Sequence, residues 1–177
     1  MDSVVPFQLL AVPGVRVLRL KSWSSQSPSD KPAKLGDQHL PTKVGTVEFG
    51  ATRILCLGPS EWLLVVRGQI EPDPIASLQS LAADRSMDVI DMTDGLTVLE
   101  LRGWAISRVL EKGCGLDLNS EVFRAGQCTR TRLAQILVAL ERPAEPHRFV
   151  LYAARSYIPY LNSWLINASL EFGETTP

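Results

Sequence analysis

Short β-rich segments follow one another closely in the first half of the chain. Val44–Phe49, Arg53–Leu57 and Trp62–Val66 are rich in aliphatic and β-branched residues, and turns built on Gly50 and on Gly58-Pro59 separate them. Turns this tight join antiparallel strands, because a parallel pair needs a long crossover connection. The continuously apolar Leu63–Val66 is typical of a central strand covered on both faces. The segment therefore predicts an antiparallel sheet.

The rest of the chain alternates further strands with three helices. The predicted strands are Val15–Leu20, Asp88–Met92, Thr97–Leu101, Cys128–Leu133, Ile136–Leu140 and Phe149–Ala153, the second and third lying around the turn Thr93–Gly95. This order, with frequent hairpins and no sustained βαβ alternation, predicts an α+β fold with helices packed on a largely antiparallel sheet. We expect a single domain over residues 1–177.

The three predicted helices carry recognisable boundary signals. The first is Pro72–Ala83, and the second is Trp104–Lys112, which Gly113 closes as a left-handed cap. The third is capped by Ser156, has Pro159 in its first turn and ends at Gly173. The apolar face of the third helix is Tyr157, Leu161, Trp164, Leu165, Ala168 and Phe172. Gly103 permits the sharp turn from strand into the second helix.

A polar segment interrupts the strands. Lys21–Lys43 collects serines, prolines, lysines and aspartates with few apolar residues, which predicts a long surface loop over about residues 21–43. It contains Trp23, which either contacts a partner or folds back onto its own domain. The second alternative is the more ordinary one.

Composition and charge exclude several classes of partner. The net charge is −1 and the basic residues are scattered, so neither nucleic-acid binding nor attraction to an anionic membrane is expected. The N-terminal residues do not read as a signal peptide, and no apolar run approaches the roughly 18 residues of a membrane span. The three cysteines, an odd count at irregular spacings, indicate reduced thiols. We therefore expect a cytoplasmic protein.

The motifs of catalysis and cofactor binding are missing from the sequence. There is no C-x-x-C, and the two histidines, His39 and His147, lie far apart in predicted loops. There is no G-x-G-x-x-G or Walker-type loop, and the glycines of Lys112–Gly115 follow a helix instead of opening one. Cys56, Cys114 and Cys128 are interpreted as packing residues, although a Cys–His pair stays open. No catalytic, cofactor-binding or metal-binding residue is predicted.

Six short motifs, in a fixed order, carry a resemblance to a known family. They are Leu57–Leu64 (LGPSEWLL), Asp91–Gly95 (DMTDG), Leu99-x-Leu101-x-Gly103, Lys112–Leu118 (KGCGLDL), Phe123-x-x-Gly126-x-Cys128-Thr129-Arg130-Thr131 and Arg155-Ser156-Tyr157. In this order they resemble the gamma subunit of heterotetrameric sarcosine oxidase, over about Val44 to Phe172. Each motif is weak alone, whereas the ordered set is specific.

The resemblance implies a non-catalytic subunit of a four-subunit flavoenzyme. Such a complex oxidatively demethylates sarcosine to glycine and passes the one-carbon unit to tetrahydrofolate. The implied partners are the alpha, beta and delta subunits, which are expected to hold FAD, FMN, NAD, tetrahydrofolate and zinc. The implied fold is similar to the folate-binding domain of the glycine-cleavage aminomethyltransferase.

The sequence departs from the aminomethyltransferase where that enzyme acts on folate. The transferase has a functional aspartate just after the helix that follows the L-x-G motif, and this chain has Gly113-Cys114 there, with Asp117 three residues further on. Within the gamma family, Gly115 replaces a common proline and Asp94 a common histidine, so the N-methyl amine that the complex oxidises is left open. The alternatives are a stand-alone tetrahydrofolate-binding or one-carbon-transfer protein, and a subunit of a related N-methyl amine demethylase.

Four side chains are candidate partner contacts. Arg130 and Arg155 lie beside predicted strands, where a guanidinium suits bidentate pairing with a carboxylate of a partner subunit. Tyr160 lies on the exposed face of the last helix, and Trp23 is the fourth. The alternative for the two arginines is an ordinary surface or capping role. Trp62 is predicted to anchor the core.

Overall fold

The computed structural model describes residues 5–23, 34–35, 38–50, 52–68, 78–79 and 87–173. Contacts divide the chain into two compact units. Unit 1 consists of Met1–Pro13 and Gly95–Pro177, and unit 2 of the continuous segment Gly14–Asp94. The single domain over residues 1–177 stays a prediction.

Antiparallel strands make up most of both units, which confirms the predicted fold class. The strands are β1 (Gln8–Ala11), β2 (Val15–Ser22), β3 (Lys34–Leu35), β4 (Gln38–His39), β5 (Val47–Glu48), β6 (Thr52–Gly58), β7 (Glu61–Arg67), β8 (Met87–Asp91), β9 (Leu96–Arg102), β10 (Gln127–Leu133), β11 (Ile136–Arg142) and β12 (Arg148–Ala154). The helices are α1 (Ile106–Glu111) and α2 (Ile158–Ser169), with 3-10 turns at Arg155–Tyr157 and Leu170–Phe172.

The sheet of unit 1 has the order β1-β9-β12-β11-β10 in the described part of the chain. Alternate residues of its strands point toward the helices, because side chains of a strand alternate between its two faces. The buried core on this face takes Leu99, Leu101, Val138, Leu140, Phe149 and Leu151 from the strands, Ile106, Val109 and Leu110 from α1, and Leu161 and Leu165 from α2. One sheet face with two helices on it therefore forms this core, as the sequence pattern predicts.

The sheet of unit 2 has the order β5-β6-β7-β2-β8 in the described residues. β7 lies at its centre, and Trp62–Val66 is buried throughout, which confirms the predicted central strand. Trp62 is 1% exposed, and its indole Nε1 donates a hydrogen bond to the Pro41 carbonyl at 2.7 Å. The tryptophan thus packs in the core while its one polar group is satisfied.

The described residues of the predicted polar loop are more ordered than expected. Lys21 and Ser22 extend β2, and Lys34–Leu35 pairs with Gln38–His39. Leu35 and Leu40 are buried in the core of unit 2. Burial of these two leucines is favourable although their sequence neighbours are polar, whereas the loop prediction rests on average composition alone.

The turn Thr93–Gly95 does not join a pair of strands as the sequence suggested. β8 pairs with β2, whereas β9 pairs with β1 and β12 in the other sheet. The Thr93 amide donates to Asp91 Oδ1 at 2.9 Å, and hydrogen bonds from the Thr93 side chain and amide lower the pKa of Asp91. Local turn chemistry is therefore as predicted, but the strands that leave the turn find different partners.

The boundaries of two predicted helices differ from the sequence signals, and the third predicted helix lies largely outside the described residues. Tyr157 stands at the N-cap position of α2 with no side-chain capping bond, so Ser156 is not the cap, while Pro159 is in the first turn as predicted. α1 is shorter than the predicted Trp104–Lys112. The predicted helix Pro72–Ala83 lies outside the described residues except for Leu78 and Gln79, which are helical.

The two-residue turn between β10 and β11 is strained. Ala134 has a φ of +47° and Gln135 a φ of +73°, and two positive values are the mark of a type I′ hairpin turn, which normally uses Asn-Gly. Two contacts hold the turn in place. The Ala134 amide donates to the Gly113 carbonyl at 3.0 Å, and the Tyr160 hydroxyl donates to the Ala134 carbonyl at 2.9 Å.

A Gln135→Gly variant is expected to be more stable than the wild type by about 0.5–1 kcal/mol, because glycine adopts a positive φ without the clash between Cβ and the backbone. Urea unfolding monitored by circular dichroism measures the gain. Gln135→Ala is the matched control and is expected to gain nothing. An equal gain in the alanine variant would show that loss of the glutamine side chain, and not relief of strain, is responsible.

Candidate functional site

The three cysteines are buried, and none of them is in a disulfide. Burial raises the pKa of the Cys56 thiol above its ordinary value, which favours the unreactive protonated form. Cys114 lies with its Sγ 3.4 Å from the Thr131 hydroxyl, and Cys128 is buried on β10. These positions match the interpretation of all three as packing residues.

The folded chain is expected to react slowly with Ellman's reagent, because a disulfide reagent needs an accessible thiolate. In guanidinium chloride, all three cysteines should be titrated at once. The measurement is the absorbance time course of the released thionitrobenzoate with and without denaturant. Rapid labelling of one thiol in the folded chain would contradict the packing interpretation and reopen a nucleophilic role for it.

The two histidines lie in different units. His39 is exposed on β4 of unit 2. His147 lies in the turn before β12 of unit 1, with a φ of +55°, and its carbonyl accepts the Gly103 amide at 3.0 Å. Among the described residues, no group of three or more His, Cys, Asp or Glu side chains is gathered as a metal site would require.

Gly113 and Cys114, where the resemblance to the transferase implies a functional aspartate, are packing residues in this chain. Gly113 is not in the left-handed conformation, so its prediction as a left-handed cap is wrong. A Cβ there would lie 2.5 Å from the Trp164 ring, so the missing side chain makes room for α2. Asp117 is exposed and accepts the Asn119 amide at 2.9 Å, which is a local turn bond.

Trp23 combines exposure with contacts to its own sheet. Its side chain is 62% exposed, yet its indole donates to Asp88 on β8, and the Lys21 ammonium lies 4.1 Å from the ring centroid. The indole is therefore bonded to its own sheet, while most of the side chain is exposed. The contact with a partner stays a prediction.

The other three predicted contacts lie in unit 1. Arg130 is exposed at the centre of β10, which is an edge strand of its sheet in the described part of the chain. Arg155 is exposed in the 3-10 turn before α2, and its amide donates to the Gly95 carbonyl at 2.9 Å. Tyr160 is 47% exposed, but its hydroxyl is engaged in holding the β10–β11 turn. Arg130, Arg155 and Tyr160 lie on three different elements of this unit, namely β10, the 3-10 turn and α2.

Buried carboxylates occur in the sheet of unit 1, and sequence reasoning did not single them out. Glu100 is 5% exposed, and its Oε2 accepts a hydrogen bond from Arg148 Nη2 at 3.0 Å. Arg148 Nε lies 2.9 Å from Glu100 Oε1 as part of the same ion pair. Arg102 also contacts Glu100. On the neighbouring strands, the buried Tyr152 hydroxyl donates to Glu141 Oε2 at 2.6 Å. These bonds join adjacent strands and are structural in character.

An open groove lies on unit 1 where α1 meets the end of the last helix. Its volume is about 740 Å³, and it is lined by Trp104, Arg108, Glu111, Lys112, Glu171 and Phe172. The Trp104 and Phe172 rings meet edge to face with centroids 5.9 Å apart. Lys112 Nζ lies 2.7 Å from Glu171 Oε1 and 4.9 Å from the centroid of the Phe172 ring. The surface is aromatic and charged, and its lining includes no serine, cysteine or histidine.

Few signals in the sequence predict this groove. Trp104 precedes α1, so the periodicity of the helix does not fix which way its side chain points. Phe172 was assigned to the apolar face of the last helix, but it lies in the 3-10 turn that follows α2. The available signal was the pair of charges at Arg108 and Glu111, three residues apart on one helix.

Comparison with solved structures defines the class of fold. The crystal structure of the glycine cleavage system aminomethyltransferase T from Bartonella henselae superimposes with a TM-score of 0.66 at 16% identity, over 92% of this chain and 46% of that chain. The chain therefore has an aminomethyltransferase-like α+β fold.

Sequence comparison then defines the family. The model of the sarcosine oxidase gamma subunit family matches residues 32–171. Sarcosine oxidase subunit gamma of Corynebacterium sp. (strain U-96) is 35% identical over 135 residues, which are 75% of this chain and 64% of that protein. For the subunit gamma of Arthrobacter sp, the identity is 35% over 140 residues, 77% of this chain and 67% of that protein. The chain belongs to the sarcosine oxidase gamma subunit family.

A structure of a heterotetrameric sarcosine oxidase shows the likeness over more of the chain. The structure from Corynebacterium sp. U-96 in complex with pyrrole 2-carboxylate matches with a TM-score of 0.84 at 28% identity, over 97% of this chain and 87% of that chain. The sequence match spans just under two thirds of the first curated relative, 64% of its length.

None of the helices in the described part of the chain combines the length and the apolar character that a membrane crossing needs.

Proposed function

We propose that this chain is a non-catalytic subunit of a sarcosine-oxidase-type flavoenzyme complex, assembled with alpha, beta and delta subunits in the cytoplasm. The observation that carries the proposal is the likeness to a chain of a heterotetrameric sarcosine oxidase over almost the whole length of this chain. The complex would oxidise sarcosine to glycine and pass the one-carbon unit to tetrahydrofolate.

The described residues support a role without chemistry of its own. The thiols are buried, the histidines are in separate units, and the buried carboxylates Glu100 and Glu141 are bonded between strands. A general acid, base or nucleophile needs an accessible and activated group. We propose that FAD, FMN, NAD, tetrahydrofolate and zinc are held by other subunits.

Co-expression tests the proposal. The tagged chain is produced together with the alpha, beta and delta subunits of a sarcosine-oxidase-type complex and purified through its tag. We expect the flavin-bearing subunits to elute with it in equal amounts and the purified complex to oxidise sarcosine, while the chain alone shows no flavin absorbance. A chain that elutes alone in the presence of its proposed partners would contradict the proposal.

The stand-alone folate protein is the competing function. Glycine and cysteine stand at positions 113 and 114 in place of the transferase's aspartate, and the side chain of Asp117 is engaged in a local turn. We therefore expect no heat of binding when the isolated chain is titrated with tetrahydrofolate in a calorimeter. Saturable micromolar binding would favour the alternative.

The substrate of the complex is tested separately. Oxidation rates of the reconstituted complex with sarcosine and with bulkier N-methyl amines distinguish a sarcosine oxidase from a related demethylase. We expect sarcosine to be the preferred substrate.

A further inference from the structure

We propose that the groove lined by Trp104, Arg108 and Phe172 is a docking site for another subunit of the complex. The occupant is a partner segment that places an apolar or aromatic side chain against Trp104 and Phe172 and a carboxylate beside Arg108. This inference rests on the proposed function and adds the surface through which it is carried out.

The aromatic part of the groove combines a ring–ring contact with exposure to solvent. Trp104 is 45% exposed although its ring packs edge to face on Phe172. Leu170, two residues before Phe172, is 61% exposed. Large exposed aromatic side chains held in one orientation lose little entropy on binding, and tryptophan is enriched among residues that dominate interface energies.

Two of the four charged side chains of the groove form an ion pair with each other, and the other two do not. The Lys112 ammonium is engaged within the chain. It forms an ion pair with Glu171 at 2.7 Å, contacts the Ala168 carbonyl and lies over the Phe172 ring. By contrast, Arg108 and Glu111 form no ion pair or side-chain hydrogen bond with any other residue in the described part of the chain. Their charges are therefore left for a ligand or a partner.

The order of these charges defines the chemistry of the occupant. Arg108 and Glu111 are one turn apart on α1, so their Cβ atoms are about 5–6 Å apart. A complementary segment carries an acidic side chain opposite Arg108 and a basic or hydrogen-bond-donating one opposite Glu111. An apolar side chain between α1 and the 3-10 turn, flanked by these two polar ones, is a pattern that a protein segment can present. A small ligand would leave most of so open a groove uncovered.

The test uses the co-expressed complex and two single variants. Arg108→Glu reverses the proposed charge contact and Trp104→Ala removes the anchor. We expect each to lower the amount of co-purifying partner subunits at least tenfold in salt wash experiments, with the effect of Arg108→Glu weakening as salt rises. The matched controls are Arg67→Glu, at the exposed end of β7, and Val122→Ala, which is 58% exposed; both lie outside the groove and should co-purify like the wild type.

The outcomes separate this inference from the function on which it rests. If the wild-type chain does not co-purify with the partners, the proposed function fails. If the wild type co-purifies and both groove variants do so equally well, the docking site is overturned. Self-association of the isolated chain that Arg108→Glu abolishes would identify a second copy as the occupant and would also overturn it. If Trp104→Ala fails to fold, Arg108→Glu, an exposed substitution, decides.

Discussion

A Gly103→Ala variant is expected to lose about 4 kcal/mol of stability or to fail to fold, which is at the extreme of single substitutions. Gly103 has a φ of +126°, a region that side chains rarely adopt. A Cβ at this position would lie 2.4 Å from the Pro6 carbonyl oxygen and 2.9 Å from Phe7 Cα. Both obstacles are backbone, so no side-chain rotation relieves the clash.

The clash would also break the attachment of the segment before β1. The amide of Ala105 donates to the Pro6 carbonyl at 3.0 Å, and the Trp104 amide donates to Val5 at 3.3 Å. Phe7, next in the chain, is fully buried in the core of unit 1. Displacing Pro6 therefore weakens two hydrogen bonds and the burial of a large aromatic side chain together.

Two glycine variants serve as controls in the same urea unfolding series. Gly115→Ala adds a methyl group in open space and is expected to leave stability nearly unchanged. Gly14→Ala also meets nothing within 4 Å but has a φ of +65°, so it should lose only about 1 kcal/mol from backbone strain. If all three variants were equally stable, the proposed packing around Gly103 would be wrong.

The second large effect is expected at Gly113. Gly113→Ala places a Cβ 2.5 Å from one atom of the Trp164 ring and 3.2 Å from the Ala134 amide nitrogen. The indole packs against the core of unit 1 and is rigid, so it moves only as a whole. We expect a loss of about 2–3 kcal/mol in unfolding free energy.

A compensating variant distinguishes this clash from a change in helix capping. Gly113→Ala combined with Trp164→Leu should be more stable than the sum of the two single effects, because the smaller side chain admits the methyl group. Additive losses in this double-mutant cycle would indicate that the tryptophan is not the obstacle.

The strands were predictable because their signals are local. Trp62–Val66 is apolar throughout and Thr97–Leu101 is flanked by turn residues, and both are strands within a residue or two of the predicted bounds. The pairing of strands was not predictable to the same extent. Thr93–Gly95 has ordinary turn chemistry, but whether the next strand returns to the same sheet depends on partners far away in the sequence.

Single residues at helix ends were the least predictable. Gly113 follows α1, where a left-handed cap is the usual reason for glycine, but the real reason is the Trp164 ring on a helix about 50 residues later. The groove was not predictable either, because its lining residues come from α1 and from the 3-10 turn after α2, which are far apart in the sequence. Family membership, by contrast, was predictable, because recognising the ordered motifs requires no three-dimensional information. The match of the family model over residues 32–171 confirms the family.

Purification of the tagged chain after co-expression with alpha, beta and delta subunits tests most directly whether the chain is a subunit of a sarcosine-oxidase-type complex. The predicted result is one species on size exclusion that contains the chain and its flavin-bearing partners in equal amounts and oxidises sarcosine. The contradicting result is a stable chain that elutes alone while the remaining subunits assemble into a fully active enzyme without it.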